Sequence, residues 1–240
     1  MRQNKELDPF HRAGRGGTGL GGWSRRLKPA TGAGGRRVPR LWLLSDPVRL
    51  PDPVASARRL PRGAAVLARG AGPAVLGRLA RLARGRGLAL LLGGEGRAAL
   101  SLRAGLHVPD RAAARGLLPF LRARRGGAPW ALLSVAVHGR AGMARGRRLR
   151  ADCALLSPAF ATASHPGARA LGPLRWAALA RALGRPAVAL GGVGPETAGR
   201  LPRRGAGRAA GLAAIGALAS ASGPEGGLWR ERHSVSRKSR

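Results

Sequence analysis

The sequence predicts a single (β/α)8 barrel, an α/β fold in which eight parallel strands close inside a ring of helices. Apolar runs with the length of a buried strand recur eight times from residue 41 onward. The stretches between them place leucines on one helical face and arginines on the other. Eight uninterrupted strand–helix units favour a closed parallel barrel over an open doubly wound sheet.

The eight predicted strands are short apolar segments, each followed by a turn signal or a polar residue. They are residues 41–44, 64–68, 88–92, 105–108, 130–137, 153–156, 187–190 and 209–215. Helical spacing of apolar residues is clearest over 75–82, 117–121 and 176–183. We therefore expect one barrel domain over residues 41–221 of this 240-residue chain, which is long enough to bury one sizeable core.

The two ends of the chain lack such periodicity. Residues 1–40 are rich in glycine and arginine, and residues 222–240 are polar and charged. Segments of this composition bury too little apolar surface to order themselves. We expect both to be disordered basic extensions.

The charge balance is strongly positive, with a formal net charge of +34. Such a charge attracts polyanions, but all except three of the 44 basic residues are arginine, which is also typical of GC-rich coding. The arginines are spread along the chain, aromatic residues are few, and no zinc-finger spacing occurs. We therefore expect no specific nucleic-acid partner.

The cysteine count and the hydropathy pattern indicate where the protein is expected to be located. Cys153 is the single cysteine, so no internal disulfide can form, and a reducing cytoplasmic location is expected. No apolar run approaches the roughly 20 residues that a membrane-spanning helix requires. We expect no membrane partner, and the sequence gives no indication of an oligomeric state.

The segment LLSPAFATASHPGARALG, residues 155–172, follows the sixth predicted strand. It places hydroxyls and a histidine at the carboxyl end of a strand, where barrel enzymes hold their ligands. Its order of small, Pro, Phe, Thr and Ser positions resembles the corresponding loop of the thiamine-phosphate synthase and thiazole tautomerase family, a group of (β/α)8 barrels. The resemblance extends over residues 41–218 and is strongest after the fifth strand.

The resemblance implies a diphosphate or phosphate contact by Thr162 and Ser164. His165 stands where the family usually has lysine, and carries full charge only when protonated. The alternative for His165 is an ordinary loop histidine beside Pro166.

Two glycine turns, at the ends of the seventh and eighth strands, suit a phosphate, because backbone N–H groups can approach its oxygens there. The turns contain Gly191 with Gly192, and Ile215 with Gly216, and they match the family's phosphate-holding positions. The alternative is that they are ordinary turn glycines.

Two further residues are candidates for catalysis. His138 ends the fifth strand and matches a family histidine implicated in proton transfer in the tautomerase branch; the alternative is a structural histidine. Arg69 follows the second strand, where the resemblance implies that an arginine holds the diphosphate. The glutamine and lysine that flank this arginine in the family are replaced here by Leu67 and Ala71.

A magnesium site is implied by the resemblance alone. The family's synthases hold Mg²⁺ with aspartates after the third and fourth strands. Glu95 occupies the first of these positions. The second falls on Ala112, and Asp110, two residues earlier, is the candidate substitute.

Three functions follow from the resemblance. The first is thiamine-phosphate synthase, which joins hydroxymethylpyrimidine diphosphate to thiazole phosphate and releases pyrophosphate. The second is a thiazole tautomerase acting on carboxythiazole phosphate. The third is a non-catalytic paralogue that binds a thiazole or thiamine phosphate. All three imply small phosphorylated pyrimidine or thiazole partners.

Overall fold

A computed structural model describes residues 19–110, 113–162, 167 and 169–219. Ten strands lie in these residues: β1 Ala30–Thr31, β2 Arg37–Val38, β3 Leu41–Leu44, β4 Ala65–Ala68, β5 Ala89–Gly93, β6 Gly105–Val108, β7 Leu133–Val137, β8 Cys153–Leu156, β9 Ala187–Ala189 and β10 Ala209–Ala214. The helices of the same residues are α1 Leu20–Arg25, α2 Val54–Arg58, α3 Pro73–Arg86, α4 Gly96–Ser101, α5 Leu117–Arg125, α6 Arg140–Arg148, α7 Gly172–Leu183, α8 Pro195–Ala198 and α9 Gly216–Ala219.

Strands β3 to β10 form a closed parallel barrel in sequence order, with β10 pairing back onto β3. The predicted fold class is therefore confirmed, and each predicted strand overlaps one barrel strand. The fifth begins at Leu133 rather than at residue 130. Trp130 lies before the strand and packs edge-on against Phe120, with ring centroids 6.3 Å apart.

Two apolar clusters lie on opposite faces of the barrel wall. The lumen cluster includes Trp42, Leu67 and Leu155. The helix-facing cluster contains the residues next to them in each strand. This alternation follows from the pleat of a strand, which sends successive side chains to opposite faces. Trp42 is fully buried in the lumen, where its indole N–H donates to Pro39 O at 2.6 Å.

Residues 20–38 correct the expectation of a disordered extension through residue 40. Helix α1 and the antiparallel β1–β2 hairpin pack on the barrel, and Leu20, Leu27 and Val38 are buried. Leu20, Trp23 and Leu27 have helical spacing, a short signal among glycines and arginines. The predicted tail at 222–240, and residues 1–18, lie outside the described residues.

The hairpin is fixed to the barrel by the buried carboxylate of Asp152. Its Oδ1 accepts hydrogen bonds from Gly34 N at 3.0 Å and Arg124 Nη2 at 2.9 Å. Its Oδ2 accepts from Leu133 N at 2.8 Å. One fully buried carboxylate thus joins the hairpin, helix α5 and strand β7 at the amino-terminal end of the barrel.

Within the described residues, no helix combines the length and the hydropathy needed to cross a membrane.

We expect Asp152→Ala to lower the free energy of unfolding by about 3 kcal/mol or more, because it leaves a buried guanidinium and two amides without their acceptor. Urea denaturation measures the change. Arg78→Ala is the control, since Arg78 pairs with Asp52 at 2.6 Å but both side chains are more than 40% exposed. The control should lose at most about 0.5 kcal/mol. Equal losses in the two variants would contradict the anchoring role of Asp152.

Candidate active site

The carboxyl ends of β3 to β10 meet at one rim of the barrel, which we call the mouth. In each strand, the residues alternating with the helix-facing cluster point into the lumen. When this alternation is extended to the carboxyl ends of the strands, nearly every strand has one side chain that faces the mouth. These residues are Asp46, Arg69, His107, His138, Ser157, Leu190 and Ile215.

Arg69 is held at the mouth by the end of the neighbouring strand β3. Its Nε donates to Ser45 O at 3.0 Å and its Nη2 to Asp46 Oδ2 at 3.2 Å. Its backbone N–H donates to Ser45 Oγ at 2.6 Å. On the other side, a Cβ added to Gly93 would lie only 3.3 Å from Arg69 Cγ, so glycine makes room for the arginine. In the described part of the chain, no hydrogen bond engages Nη1.

The surroundings of this pair lower the pKa of both groups. Burial lowers the pKa of Arg69 from its usual value, and the charge of Asp46 opposes that shift. Hydrogen bonds from Arg49, first from its side chain, lower the pKa of Asp46 to about 2. Asp46 therefore stays ionised at neutral pH and orients a charged guanidinium towards the mouth.

His107 lies deeper in the lumen, on strand β6. Its Nδ1 is 2.9 Å from the hydroxyl of Ser134 on β7. Burial lowers its pKa to about 3, and the positive charges of Arg69 and Arg145 act in the same direction. The neutral imidazole is therefore a structural element of the floor of the mouth.

His138 is exposed at the end of β7 and is oriented by the first residue after β8. Its Nδ1 lies 3.3 Å from Ser157 O and 3.1 Å from Ser157 Oγ. The carbonyl oxygen can only accept, so it favours the tautomer with a proton on Nδ1. Nε2 is then the basic nitrogen, which is the arrangement that a proton-transfer group requires.

Gly191 and Gly192 adopt left-handed conformations, with φ of 88° and 62°. A Cβ on Gly191 would lie 2.9 Å from Pro158 Cα, and one on Gly192 would lie 2.8 Å from Phe160 Cβ. Packing against the loop after β8 therefore requires both glycines, whether or not a phosphate binds there. The two glycines therefore have a structural role in addition to the predicted role in binding phosphate.

The second predicted phosphate turn is adjacent to the first. Strands β9 and β10 are neighbours, with Ala189 opposite Leu212, so Gly192 and Ile215 each lie three residues beyond a paired position. Helix α9 starts at Gly216, where an added Cβ would meet no atom within 4 Å. The two turns thus share one sector of the mouth.

The loop after β8 is described only as far as residue 162 before a gap. Thr162 lies beside that sector and is half-buried. Ser164 and His165 lie outside the described residues, so their predicted roles stay predictions.

The two predicted metal ligands follow neighbouring strands, β5 and β6. Glu95 is exposed and immediately precedes helix α4. Asp110 forms an ion pair in which Arg145 Nη2 donates to its Oδ1 at 2.6 Å. Among the described residues, no three His, Cys, Asp or Glu side chains gather as a metal cage. A site with two carboxylates would leave the remaining Mg²⁺ positions to ligand phosphates and water, and the role of Glu95 and Asp110 in binding the ion stays a prediction.

Several residues that build the mouth were not predicted from the sequence. Ser45, Asp46, Ser157 and Arg145 orient the predicted side chains through hydrogen bonds. Ser45, Asp46 and Ser157 follow apolar runs, and strand alternation could have placed Asp46 and Ser157 at the mouth. Arg145 lies on helix α6 among many arginines, and nothing in its local sequence marks it.

A family model described as thiamine monophosphate synthase matches residues 73–215. In sequence comparison, no curated protein matches the chain.

A solved thiamine phosphate pyrophosphorylase has the same fold. Thiamine phosphate pyrophosphorylase from Pyrococcus furiosus superposes with a TM-score of 0.55 at 18% identity, covering 74% of this chain and 85% of its own. Two structures of 2-keto-3-deoxy-6-phosphogluconate aldolase from Zymomonas mobilis have TM-scores of 0.49, at 16% and 14% identity. They cover 73% and 80% of this chain, and 80% and 84% of their own.

We expect His107→Gln to flatten the acid dependence of stability. Unfolded histidine titrates near pH 6.5 but folded His107 near 3, so the unfolded state alone takes up a proton between these values. Stability therefore falls as pH drops through this window, by up to about 1.4 kcal/mol per pH unit.

Urea denaturation at several pH values between about 6 and 4 measures the slope. Ser134→Ala is the control, because it removes the hydroxyl partner but keeps the buried imidazole. It should lower stability and retain the slope. An unchanged slope in His107→Gln would contradict this assignment.

Proposed function

The chain belongs to the thiamine monophosphate synthase family, a family of transferase enzymes, and we propose that it joins hydroxymethylpyrimidine diphosphate to thiazole phosphate and releases pyrophosphate. The observation that carries the proposal is the position of Arg69. Its guanidinium is at the mouth, held by Ser45 and Asp46 against the gap left by Gly93. A synthase needs a fixed cation there, whereas a tautomerase has no diphosphate to bind.

The reaction exchanges one bond for another. The bond between the pyrimidine methylene carbon and the diphosphate oxygen breaks, and the diphosphate leaves with the bonding electrons. The thiazole nitrogen then donates its lone pair to the methylene carbon. The chemical demand on the protein is to stabilise the departing negative charge and to align the two rings.

Arg69 meets the first demand in this proposal. A guanidinium bonds phosphate oxygens through a planar fork, and its ion pair with Asp46 fixes the plane of that fork before substrate arrives. Thr162, and the predicted Ser164 and His165, would donate further hydrogen bonds to the diphosphate. Because the fork is already ordered, little side-chain entropy is lost on binding.

The adjacent turns at Gly191–Gly192 and Ile215–Gly216 would seat the thiazole phosphate. This places the two substrates in neighbouring sectors of one mouth, which is what an attack of one ring on the other requires.

Magnesium belongs to the same proposal. Glu95 would hold it, with Asp110 contributing the oxygen that Arg145 does not bind. The ion would supply positive charge to the leaving diphosphate. Arg145 would meanwhile hold the Asp110 carboxylate in position through its ion pair.

A second candidate function is favoured by the geometry of His138. With Nδ1–H directed at Ser157 O, its Nε2 is an exposed base, as a thiazole tautomerase would require for moving a proton. The non-catalytic alternative predicts ligand binding without either reaction. For each, the single buried thiol of Cys153 suits a reducing compartment such as the cytoplasm.

We expect pyrophosphate release when both phosphorylated substrates and Mg²⁺ are supplied. Arg69→Ala should lower kcat by about 100-fold or more, because it removes the fixed cation that faces the leaving group. Arg78→Ala removes an arginine from the outer face of the barrel and should leave kcat within about twofold. A coupled pyrophosphate assay gives both values. No release with any divalent metal would exclude the synthase proposal.

The tautomerase alternative makes a separate prediction. If it holds, the protein isomerises carboxythiazole phosphate, and His138→Ala lowers that rate by about 100-fold or more. Ser157→Ala should lower it less, because the carbonyl of residue 157 still orients Nδ1. Isomerisation is followed by NMR of the thiazole ring. Turnover that is unchanged in His138→Ala would remove this function, and binding without turnover in either assay would favour the non-catalytic alternative.

A further inference from the structure

A cavity of about 910 Å³ opens at the amino-terminal end of the barrel, opposite the mouth. Its wall includes the start of β5, the carboxyl ends of α5 and α6, and the β1–β2 hairpin. Seven arginines line it: Arg36, Arg37, Arg103, Arg124, Arg125, Arg148 and Arg150. Among its described lining residues there is no carboxylate, so the wall is strongly cationic.

Two of these arginines are structural. Arg124 binds Asp152, and Arg36 donates to the carbonyl oxygens of Arg124 and Ala128. The other five are exposed, and no hydrogen bond or ion pair with the described part of the chain engages their side chains. They are Arg37, Arg103, Arg125, Arg148 and Arg150. Five positive charges therefore surround one concavity without an internal counter-charge.

The backbone gives an independent reason to regard two of them as placed for a ligand. Helices α3, α5 and α7 end in left-handed residues that are glycines: Gly87, Gly127 and Gly184. Helices α4 and α6 end in the same kind of turn, but there the residues are Arg103, with φ of 50°, and Arg150, with φ of 49°. No other described non-glycine residue has positive φ, and both of these line the cavity. A side chain at such a position strains the backbone, and strain of this kind is commonly retained at functional sites.

We propose that this cavity is a second anion site, which binds a small oligophosphate of the diphosphate or triphosphate class. Guanidinium groups bind phosphate oxygens in pairs, and linked phosphates supply several negative charges within one ligand. The cavity volume lies in the range typical of small-molecule sites. The half-buried ring of Trp130 in its wall would suit a base attached to the phosphates, as in a nucleoside triphosphate.

Nucleic acid fits the cavity less well. The five arginines surround a hollow rather than following a strip that a strand could lie along, and Trp130 is the one aromatic residue among those lining it. Binding of single strands typically combines a continuous basic groove with several stacking side chains. A small polyanion matches both the shape and the charge.

The test is isothermal titration of the full-length protein with sodium tripolyphosphate and, separately, with ATP. We expect saturable binding that Arg103→Gly/Arg150→Gly weakens by at least about tenfold. The same double substitution should raise Tm, because glycine relieves the strain at positive φ. Loss of affinity together with a gain in stability is an outcome that a merely structural role would not give.

The matched control is Arg175→Ala/Arg181→Ala, which removes the same charge from exposed positions on α7 outside the cavity. It should change the affinity by less than about twofold. Because Arg69 at the mouth is itself proposed to bind a diphosphate, the titrations are repeated in an Arg69→Ala background, where the dependence on Arg103 and Arg150 should persist. Tighter binding of ATP than of tripolyphosphate would indicate that the ring contacts Trp130, and equal binding would indicate an inorganic oligophosphate site.

Three results would overturn the proposal. They are the absence of saturable binding, an equal loss of affinity in the cavity and control variants, and no effect of Arg103→Gly/Arg150→Gly in the Arg69→Ala background. Preferential binding of a single-stranded oligonucleotide with the same sensitivity to Arg103 and Arg150 would assign the surface to nucleic acid instead. If the glycine variant does not fold, Arg125→Ala/Arg148→Ala tests the same cavity from helical positions.

Discussion

The alternation of side chains along closed parallel strands is the constraint on which the rest of this structure depends. Each barrel residue faces either the lumen or the helices, and all carboxyl ends meet at one rim. Nearly ninety residues of sequence separate the first and last of four mouth residues: Arg69, His107, His138 and Ser157. They meet at one mouth because each occupies a lumen-facing position of the side-chain alternation along its strand. The same rule sends their neighbours, such as Ala68 and Val137, into the helix-facing cluster.

Scarcity of carboxylates shapes the electrostatics of this arginine-rich chain. Asp46, Asp52, Asp110 and Asp152 are each paired with an arginine. Burial and partner number decide what each pair does. The exposed Asp52 pair contributes little, whereas Asp152 joins elements from three parts of the chain. Because the chain has 44 basic and only 10 acidic residues, most arginines have no acidic partner, and cationic surface accumulates.

Much of the fold could be predicted because it depends on local signals. Buried parallel strands are continuous apolar runs, and these give the number and order of the barrel strands. Partners of the site residues depend on contacts between strands, so the Asp46–Arg69 pair and the Ser157–His138 contact were not apparent from spacing. Helix α1 and the hairpin were missed because their few apolar residues are ordered by docking rather than by their own pattern.

The docking of these first elements has a consequence for the order in which the chain can fold during synthesis. Gly34 and Asp152 are 118 residues apart, and Trp23 donates to Pro195 O across 172 residues. Strand β8 and the segment after β9 must therefore leave the ribosome before the hairpin and α1 find their partners. Contacts between residues so far apart in sequence form late, because the entropic cost of closing the loop comes before the stability that the contact adds. Helix α1 and the hairpin, which precede the barrel in the chain, are thus among the last elements to reach their native position.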